Sequence, residues 1–500
     1  MAESLVIIGA GVAGLAAGCY ARMNGYEATI FEMHDKPGGV CTSWQRKGYV
    51  FDGCIHWLVG SKEGSSFNRI WKELGAVQGR EMVDHDEFMR VEVEGKKLIV
   101  YTDVDRLEMH MSELSTLDSA VIEELAGAIR KLSRLDMPPG KPAGREERMR
   151  LLKALPGMLG SLPLLRKLNR VTVGEFAQRF SDPILRQAFS EMFDLPELPL
   201  SAVVMTLAWL NAQDAGYPIG GSLEFAKAIE RRYLDLGGAV RYGSRVQKIV
   251  VEGDRAVGVR LEDGSEHRAG AVISAADGHA TLFDMLEGRF VDARTRGFYD
   301  NWPLWEPLVQ VSFGVDMDLS GEPHTVAFKP GKPVVVAGKP RDSLRYRHFC
   351  FDPELAPEGK SAVVVFLPSD YDYWAELARD RQRYNAEKER IATEVLDAMD
   401  ERFPGFRDRV EVKDVATPMT LERYTGNWRG SYEGWMLTRE NSKYMVRPMK
   451  STLPGLDGFY MIGQWLRPGG GLPPAAMSGR DVIRAICKKD SRKFTTTEPA

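Results

Sequence analysis

LVIIGAGVAGLAAGCYARMNGYEATIFE, residues 5–32, decides the fold of this 500-residue chain. Residues 5–8 read as an apolar strand, and Gly9, Gly11 and Gly14 as a strand-to-helix turn. An alanine-rich helix follows, then a second short strand over 28–31 and the acid Glu32. Each part has a task in holding a dinucleotide. Gly9 lets the chain turn sharply out of the strand, Gly11 admits backbone close to a pyrophosphate, and Gly14 lets helix and strand pack tightly. The phosphates then rest on the helix N-terminus. Glu32 follows at the usual distance of about 20 residues, where a carboxylate accepts hydrogen bonds from ribose hydroxyls. A buried Gly/Ala helix would account for the glycines but not for the strands and the acid around them.

The next stretch, DKPGGVCTSWQRKGYVFDGCIHWLVG, carries the glycine pair Gly38 and Gly39 and then Gly48-Tyr49-Val50-Phe51-Asp52-Gly53. It resembles the FAD-binding entry of the flavin amine oxidase and phytoene desaturase superfamily. Near the other end, Phe459-Tyr460-Met461-Ile462-Gly463 and then Arg467-Pro468-Gly469-Gly470-Gly471-Leu472-Pro473 resemble that superfamily's second flavin-contacting segment, a glycine turn opening a helix. A third match begins at Tyr217-Pro218-Ile219-Gly220-Gly221-Ser222 in mid-chain. Within the superfamily the chain is similar to the phytoene desaturase, carotenoid isomerase and retinol saturase branch. His56 after Phe-Asp-Gly looks more like the saturase pattern than the desaturase one. The run YTGNWRGSYEGW, residues 424–435, also looks like that branch. Two departures stand out. Gln464 and Trp465 occupy places where many relatives carry an acidic or small residue, and Val40 replaces the arginine that follows the glycine pair in many amine oxidases.

The resemblance implies an α/β fold: a doubly wound, Rossmann-like FAD-binding domain interleaved with a mixed α+β substrate domain. It implies contacts to FAD from Gly9, Gly11, Ala13, Gly14, Glu32, Gly38, Gly39, Val40, Gly53, Val246, Ala275, Gly463, Gly470, Gly471 and Leu472, with Val246 against the adenine. Covalent flavin attachment needs a Cys or His beside the terminal turn, and residues 463–472 contain neither, so the FAD is expected to be noncovalent. Only one GxGxxG unit is present, so no resident NAD(P)H domain is expected. Electrons would then pass to or from dioxygen, a quinone or a partner's cofactor.

Five hundred residues exceed what one core serves, and interleaved domains are expected. The layout reads as FAD-binding segments at 1–60, 215–290 and 451–488, substrate-domain segments at 61–214 and 291–450, and a disordered tail at 489–500. Landmarks are a hairpin around Gly95, a helix over 120–135 with Ile122, Leu125, Ile129 and Leu132 on one face, and punctuation at Pro138, Pro139 and Pro142. Turns at Gly253-Asp254 and Asp263-Gly264 mark a three-strand meander, after which 271–275 re-enters the parallel sheet. Further strands are read at 309–315 and 361–367, and a helix at about 384–403.

A net charge of -4 and the lack of a basic stripe with interleaved aromatics exclude a general nucleic-acid role. Five cysteines without CxxC spacing and scattered histidines give no disulfide framework and no metal site. Cys19, inside the first helix, reads as a small buried hydrophobe. Residues 5–21 are uncharged, but the residues before them lack the positive region of a signal peptide. No other segment has the roughly 18 apolar residues of a membrane span. The expected location is the cytoplasm, with peripheral membrane association as a further option. That option rests on REERMRLLKALPGMLGSLPLLRKLNR, residues 145–170, a Leu/Met-rich stretch between the basic clusters Arg145, Arg148, Arg150 and Arg166, Lys167, Arg170. Pro156, Gly157, Gly160 and Pro163 argue against a long regular helix there. The stretch reads equally as a monotopic contact or lid, or as an internal loop of the substrate domain.

Flavin chemistry asks the protein mainly to orient substrate and tune the ring. The resemblance brings Gly53, His56 and Trp57 on one loop, and Gln464, Trp465 and Leu466 on the other, near the isoalloxazine. His56 reads either as a proton donor or acceptor beside an olefinic carbon, or as a loop histidine bonded to backbone. Tyr424, Trp428, Tyr432 and Trp435 read either as the lining of an apolar tunnel or as core. The implied function is redox or redox-assisted isomerisation at carbon–carbon double bonds of an apolar polyene or isoprenoid-like lipid, with the His56 loop pointing toward saturation. An amine oxidase is the alternative within the class. A flavin-free lipid or prenyl escort module, as in Rab escort and GDP-dissociation-inhibitor proteins of this fold, is the alternative outside it.

Overall fold

The computed structural model describes residues 4–136 and 145–499. β1 (Ser4–Ile8) leads through the glycine turn into α1 (Val12–Met23), which returns to β2 (Glu27–Phe31). The two strands pair in parallel, Leu5 opposite Ala28 and Ile8 opposite Phe31. Three distant parts of the chain complete a five-stranded sheet in the order Ala239–Arg241, β2, β1, Ala271–Ser274, Phe459–Met461, all parallel. Helices cover one face and a meander the other, so its central strands are apolar on both sides: Ile7, Ile30, Val272 and Ile273 are fully buried. The helix cover is α1 with the C-terminal helix Leu472–Lys489, which approach so closely that a Cβ on Gly479 would lie 2.7 Å from the Ala13 carbonyl oxygen. The meander Val246–Glu252, Arg255–Leu261 and Glu266–Arg268 forms the other cover, with its turns where the sequence places them.

A seven-stranded sheet builds the second layer. Its order is Val410–Ala416, Leu308–Val315, Ser361–Pro368, Leu344–His348, Thr325–Phe328, Glu87–Val93, Lys96–Tyr101. Its last two strands are the expected hairpin. Glu94 and Gly95 both take positive φ (48° and 80°), as a two-residue primed turn requires. One face of the sheet packs Val363 and Val365 against Ile391, Val395 and Met399 of the helix Arg381–Arg402. The opposite face meets the first layer and the helices between them. The helix Ser119–Leu132 buries Ile122, Leu125, Ile129 and Leu132, as its pattern implies.

Two expectations are corrected. Residues 145–170 do not break at their prolines: Arg145–Leu168 is one helix with Pro156 and Pro163 inside it. Each proline removes the hydrogen bond to the carbonyl four residues earlier. The carbonyls so freed belong to Leu152 and Leu159, which are 58 % and 56 % exposed, so the cost falls on the outward side where water can meet it. The second correction concerns the tail, which is seated rather than disordered. Phe494 is buried beside Tyr20 with ring centroids 6.0 Å apart, and Thr495 N–H donates to Asn24 Oδ1 at 2.8 Å. One aromatic anchor outweighs the polar composition around it. Pro138, Pro139 and Pro142 lie outside the described residues.

Candidate active site and cofactor cradle

The glycine motifs from both ends of the chain converge on one cradle. Gly9 has φ +95°, and a Cβ on Gly14 would stand 2.0 Å from the Gly9 carbonyl oxygen, so Gly14 is the contact that lets α1 sit on β1. Gly11 pairs with Gly38 as an isolated parallel bridge, which brings the glycine pair after β2 against the turn after β1. The Glu32 carboxylate closes this end. It accepts from Ala10 N–H at 2.6 Å and His34 N–H at 2.8 Å, one bond per oxygen, which leaves further lone pairs for ribose hydroxyls. At the other end Gly463, Gly470 and Gly471 all have positive φ, and the last of these opens the helix Leu472–Lys489.

A single cavity of about 2400 Å³ runs from this cradle into the space under the seven-stranded sheet. It exceeds the roughly 300–1,000 Å³ of an ordinary ligand pocket and has room for a dinucleotide and a second long molecule. From the first motif Gly9, Gly11, Ala13, Glu32, Gly38, Gly39 and Val40 line it; Gly53, Val246 and Ala275 line it from mid-chain. Gly463, Gln464, Trp465, Gly470, Gly471 and Leu472 line it from the terminal segment, and His56 and Trp57 from the loop after Gly53. Gly14 alone among the named cofactor residues stands behind the wall. The aromatic run divides: Tyr424 and Tyr432 line the cavity, whereas Trp435 is fully buried in a cluster with Tyr299, Trp302 and Trp465. Trp428 stacks on His279 at 4.6 Å.

The sequence family described as "Flavin containing amine oxidoreductase" matches residues 12–487. The chain belongs to that family. Among curated relatives of this flavoenzyme, a chloroplastic prolycopene isomerase of Daucus carota is 24% identical over 494 residues, covering 95% of this chain and 78% of its own. A lycopene-forming phytoene desaturase of Paracoccus sp. is 25% identical over 506 residues, covering 97% of both chains. Among solved structures, an oxidoreductase from Methanosarcina mazei has a TM-score of 0.63 at 19% identity, covering 96% of this chain and 100% of its own. A cyclohexylamine oxidase from Brevibacterium oxydans has a TM-score of 0.61 at 14% identity, covering 98% and 100%.

The family's cofactor is FAD, and the residues present fit it. The α1 N-terminus has no acid in its first turn to repel phosphates, and its Gly11 leaves cavity-side backbone open, the nearest atom to an added Cβ being 3.9 Å away. Glu32 would hold the ribose and Gly470 and Gly471 the flavin end. The flavoenzyme's Asp52 is locked beneath this floor, accepting from Cys54 N–H, Ser222 N–H and Ser222 Oγ at 2.9, 2.6 and 2.6 Å. Asp52 thus ties the Gly53 loop to the mid-chain glycine motif. Gln310 donates to the Asp52 carbonyl at 3.3 Å from the neighbouring sheet.

His56 is a neutral imidazole here. Burial and the fields of Arg347 and Arg345 hold its pKa well below the usual histidine range, and its Nε2 has no hydrogen-bond partner. Two charged residues that sequence reading passed over also line the cavity. Glu433 has no ion pair or side-chain hydrogen bond among the described residues, and burial pushes its carboxyl up to about 7. Its backbone and Cβ crowd Gly470, where an added Cβ would lie 2.8 Å from the Glu433 Cβ. Arg347 is 7% exposed, on the strand Leu344–His348. The available signals were the Arg-x-Arg alternation in LRYRH and a lone acid inside the aromatic run SYEGW.

Proposed function

We propose that this flavoenzyme acts on carbon–carbon double bonds of a long apolar polyene of isoprenoid type, by saturation, desaturation or redox-assisted cis/trans isomerisation. One observation carries the reading: the cofactor cradle opens without a partition into a long, mainly apolar space. Trp57, Phe88, Phe193, Leu198, Met205 and Trp209 line that space, and Trp57 packs edge-on to Phe88 at 5.3 Å. The names of the isomerase and desaturase relatives support a polyene. Bound FAD supplies two-electron transfer at the double bond. The chain's own part is to lay the polyene along the aromatic wall, keep water out, and hold a proton on Glu433, whose carboxyl is protonated below about pH 7. His56, neutral and without a partner at Nε2, stands as a donor or acceptor on the facing loop. With a single dinucleotide motif, the outside electron carrier is dioxygen, a quinone or a partner's cofactor.

The substrate's route is the helix Arg145–Leu168. Leu151, Met158, Leu162 and Leu165 face the cavity from it, while Met149, Leu152, Leu155 and Leu159 stand 41–58 % exposed on its outer side. Val446, 82 % exposed, adjoins its C-terminal end, where Arg166, Arg170 and Lys443 gather. An apolar stripe with cationic flanks beside a cavity mouth suits a monotopic seat on an anionic bilayer, from which a lipid-soluble polyene enters. Among the described residues no helix is long and apolar enough to cross a membrane.

The test is anaerobic. Oxidised holoenzyme is mixed with cis and all-trans polyenes, the flavin spectrum is followed, and the products are separated by double-bond count and geometry. Bleaching with a gained double bond means desaturation. Loss of a double bond from chemically reduced enzyme means saturation, and a changed geometry at constant count means isomerisation. A flavin bleached by amines and by no polyene would replace this reading with an amine oxidase.

A further inference from the structure

The seven-stranded sheet carries an unusual charge on its cavity face. In the pairing of Thr325–Phe328 with Leu344–His348, Thr325 lies opposite Arg347 and Ala327 opposite Arg345. Directly opposed residues and their neighbours two along share a face. Leu344 and Tyr346 point the other way into the core. Thr325, Arg345 and Arg347 therefore form one patch, and all three line the cavity.

The patch is short of partners. Arg341 pairs with Glu306 at 3.3 Å, and Arg345 donates to the Glu191 carbonyl oxygen at 2.6 Å. Arg347 is only 7% exposed, yet it has no ion pair and no side-chain hydrogen bond among the described residues. The opposing charge that acts on it is that of Asp52, which is already bound to Ser222 and Cys54. Burial and Arg345 lower its pKa to about 9, so the guanidinium stays charged at neutral pH. Beside it the Thr325 Oγ1, the Arg345 Nε and the His56 Nε2 are buried without partners. A buried charge is costly unless it is paired, and folded chains accept such costs chiefly at functional sites.

We propose that Arg347, with Thr325 and Arg345, is a carboxylate subsite at the sheet end of the cavity, and that the polyene carries a terminal carboxylate. The inference rests on the polyene reading above and narrows its substrate class. A purely hydrocarbon end would leave the guanidinium desolvated and unpaired. A diphosphate would bring two or three negative charges to a patch that already holds Glu191 and Asp194 beside Arg345 and in which only Arg347 has neither an ion pair nor a side-chain hydrogen bond among the described residues. One unpartnered guanidinium with a planar fork of donors matches one carboxylate held bidentately.

The probes are all-trans-retinoic acid and all-trans-retinol, the same hydrocarbon ending in a carboxylate or a hydroxyl. Each is titrated into holoenzyme at pH 8, with quenching of tryptophan fluorescence as the readout, since Trp57 and Trp209 line the cavity. Retinoic acid should bind at least about tenfold more tightly than retinol. Arg347→Met should bring the two within about threefold of each other, and Thr325→Val should weaken the acid alone by a few-fold. Arg347→Met should also melt at the same or a higher temperature, because it removes an unpaired buried charge, whereas a merely structural arginine would lower it. Equal binding of the two probes by wild type overturns the proposal, as does an Arg347→Met chain that loses FAD or weakens both probes alike. Retinol bound as well as the acid leaves the polyene reading standing and removes the subsite. Binding of neither probe removes both.

Discussion

Gly11 and Gly38 meet as an isolated parallel bridge, so the turn after β1 and the glycine pair after β2 form one surface of backbone. An added Cβ at Gly39 would lie 3.5 Å from the Gly11 Cα, and one at Gly38 2.1 Å from the Cys41 carbonyl oxygen. Gly11 itself is different. Its φ of −67° suits any residue, and nothing stands within 3.9 Å of an added Cβ. Gly11→Ala should therefore fold and melt like flavin-free wild type but purify with little flavin, its methyl group occupying the pyrophosphate's place. Gly14→Ala, whose Cβ would strike the Gly9 carbonyl oxygen at 2.0 Å, should fail to fold. The 450 nm absorbance per chain and a thermal melt separate the two; a yellow Gly11→Ala protein would refute the cradle.

Leu152 and Leu159 are more than half exposed on the outer side of the helix Arg145–Leu168, so neither supports the core. The helix is held instead by its inner side, where Leu168 is buried and Leu164 and Leu165 pack against the core, and by Arg480 Nη2 donating to Glu147 at 2.6 Å near its start. Replacing both leucines with serine should leave the melt and the flavin content unchanged. Binding to anionic vesicles should weaken by about tenfold or more, since each inserted leucine contributes roughly 1–2 kcal/mol. Co-sedimentation measures this, and raised salt should weaken wild type as well. Equal sedimentation of both proteins would make the stripe an unrelated surface.

The strand–glycine–helix unit was legible in the sequence because its rules are local: glycines where backbone must bend or touch, and an acid after the next strand. The hairpin at Gly95 and the face of Ser119–Leu132 were legible for the same reason. Arg347 and Glu433 were not. Their significance lies in what fails to surround them, and only the packing of remote strands decides that. The helix over 145–168 was hidden by a local penalty that outward-facing carbonyls absorb, and the seating of the tail by a single phenylalanine.

His85 and His324 stack at 3.9 Å with their planes 15° apart. Burial and neighbouring cations hold His85 down to about 4 and His324 well below the usual histidine range; His348 beside them is also lowered. The sign follows from which state takes up protons. Below about pH 6.5 the unfolded chain protonates these rings while the folded chain does not, so stability falls as pH drops from about 6.5 toward 4. Each such ring adds a slope of about 1.4 kcal/mol per pH unit. Urea midpoints at pH 7.5, 6.0 and 5.0 should fall in that order, and His324→Phe should flatten the trend. An unchanged slope in His324→Phe would remove this pair from the acid response.

Glu433 offers the most direct test of proton delivery. Desolvation raises its carboxyl from 4.5 to about 7, with no cation to oppose it. Below that pH it holds a proton inside the cavity, and above it becomes an unpaired, half-buried carboxylate. If it is the donor, turnover of a polyene should be on its plateau at about pH 5.5, half-maximal near pH 7 and fall about tenfold per pH unit above about 8. Glu433→Gln should turn over about a hundredfold or more slowly, with that decline abolished. A second readout separates chemistry from architecture. The folded chain keeps a proton that the unfolded chain has released between about pH 4.5 and 7, so wild-type stability falls as pH rises through that window. Glu433→Gln should then exceed wild type in melting temperature at pH 8.5 and match it at pH 5. A gain in stability at pH 8.5 without any change in the rate profile would leave Glu433 a buried charge with no part in the reaction.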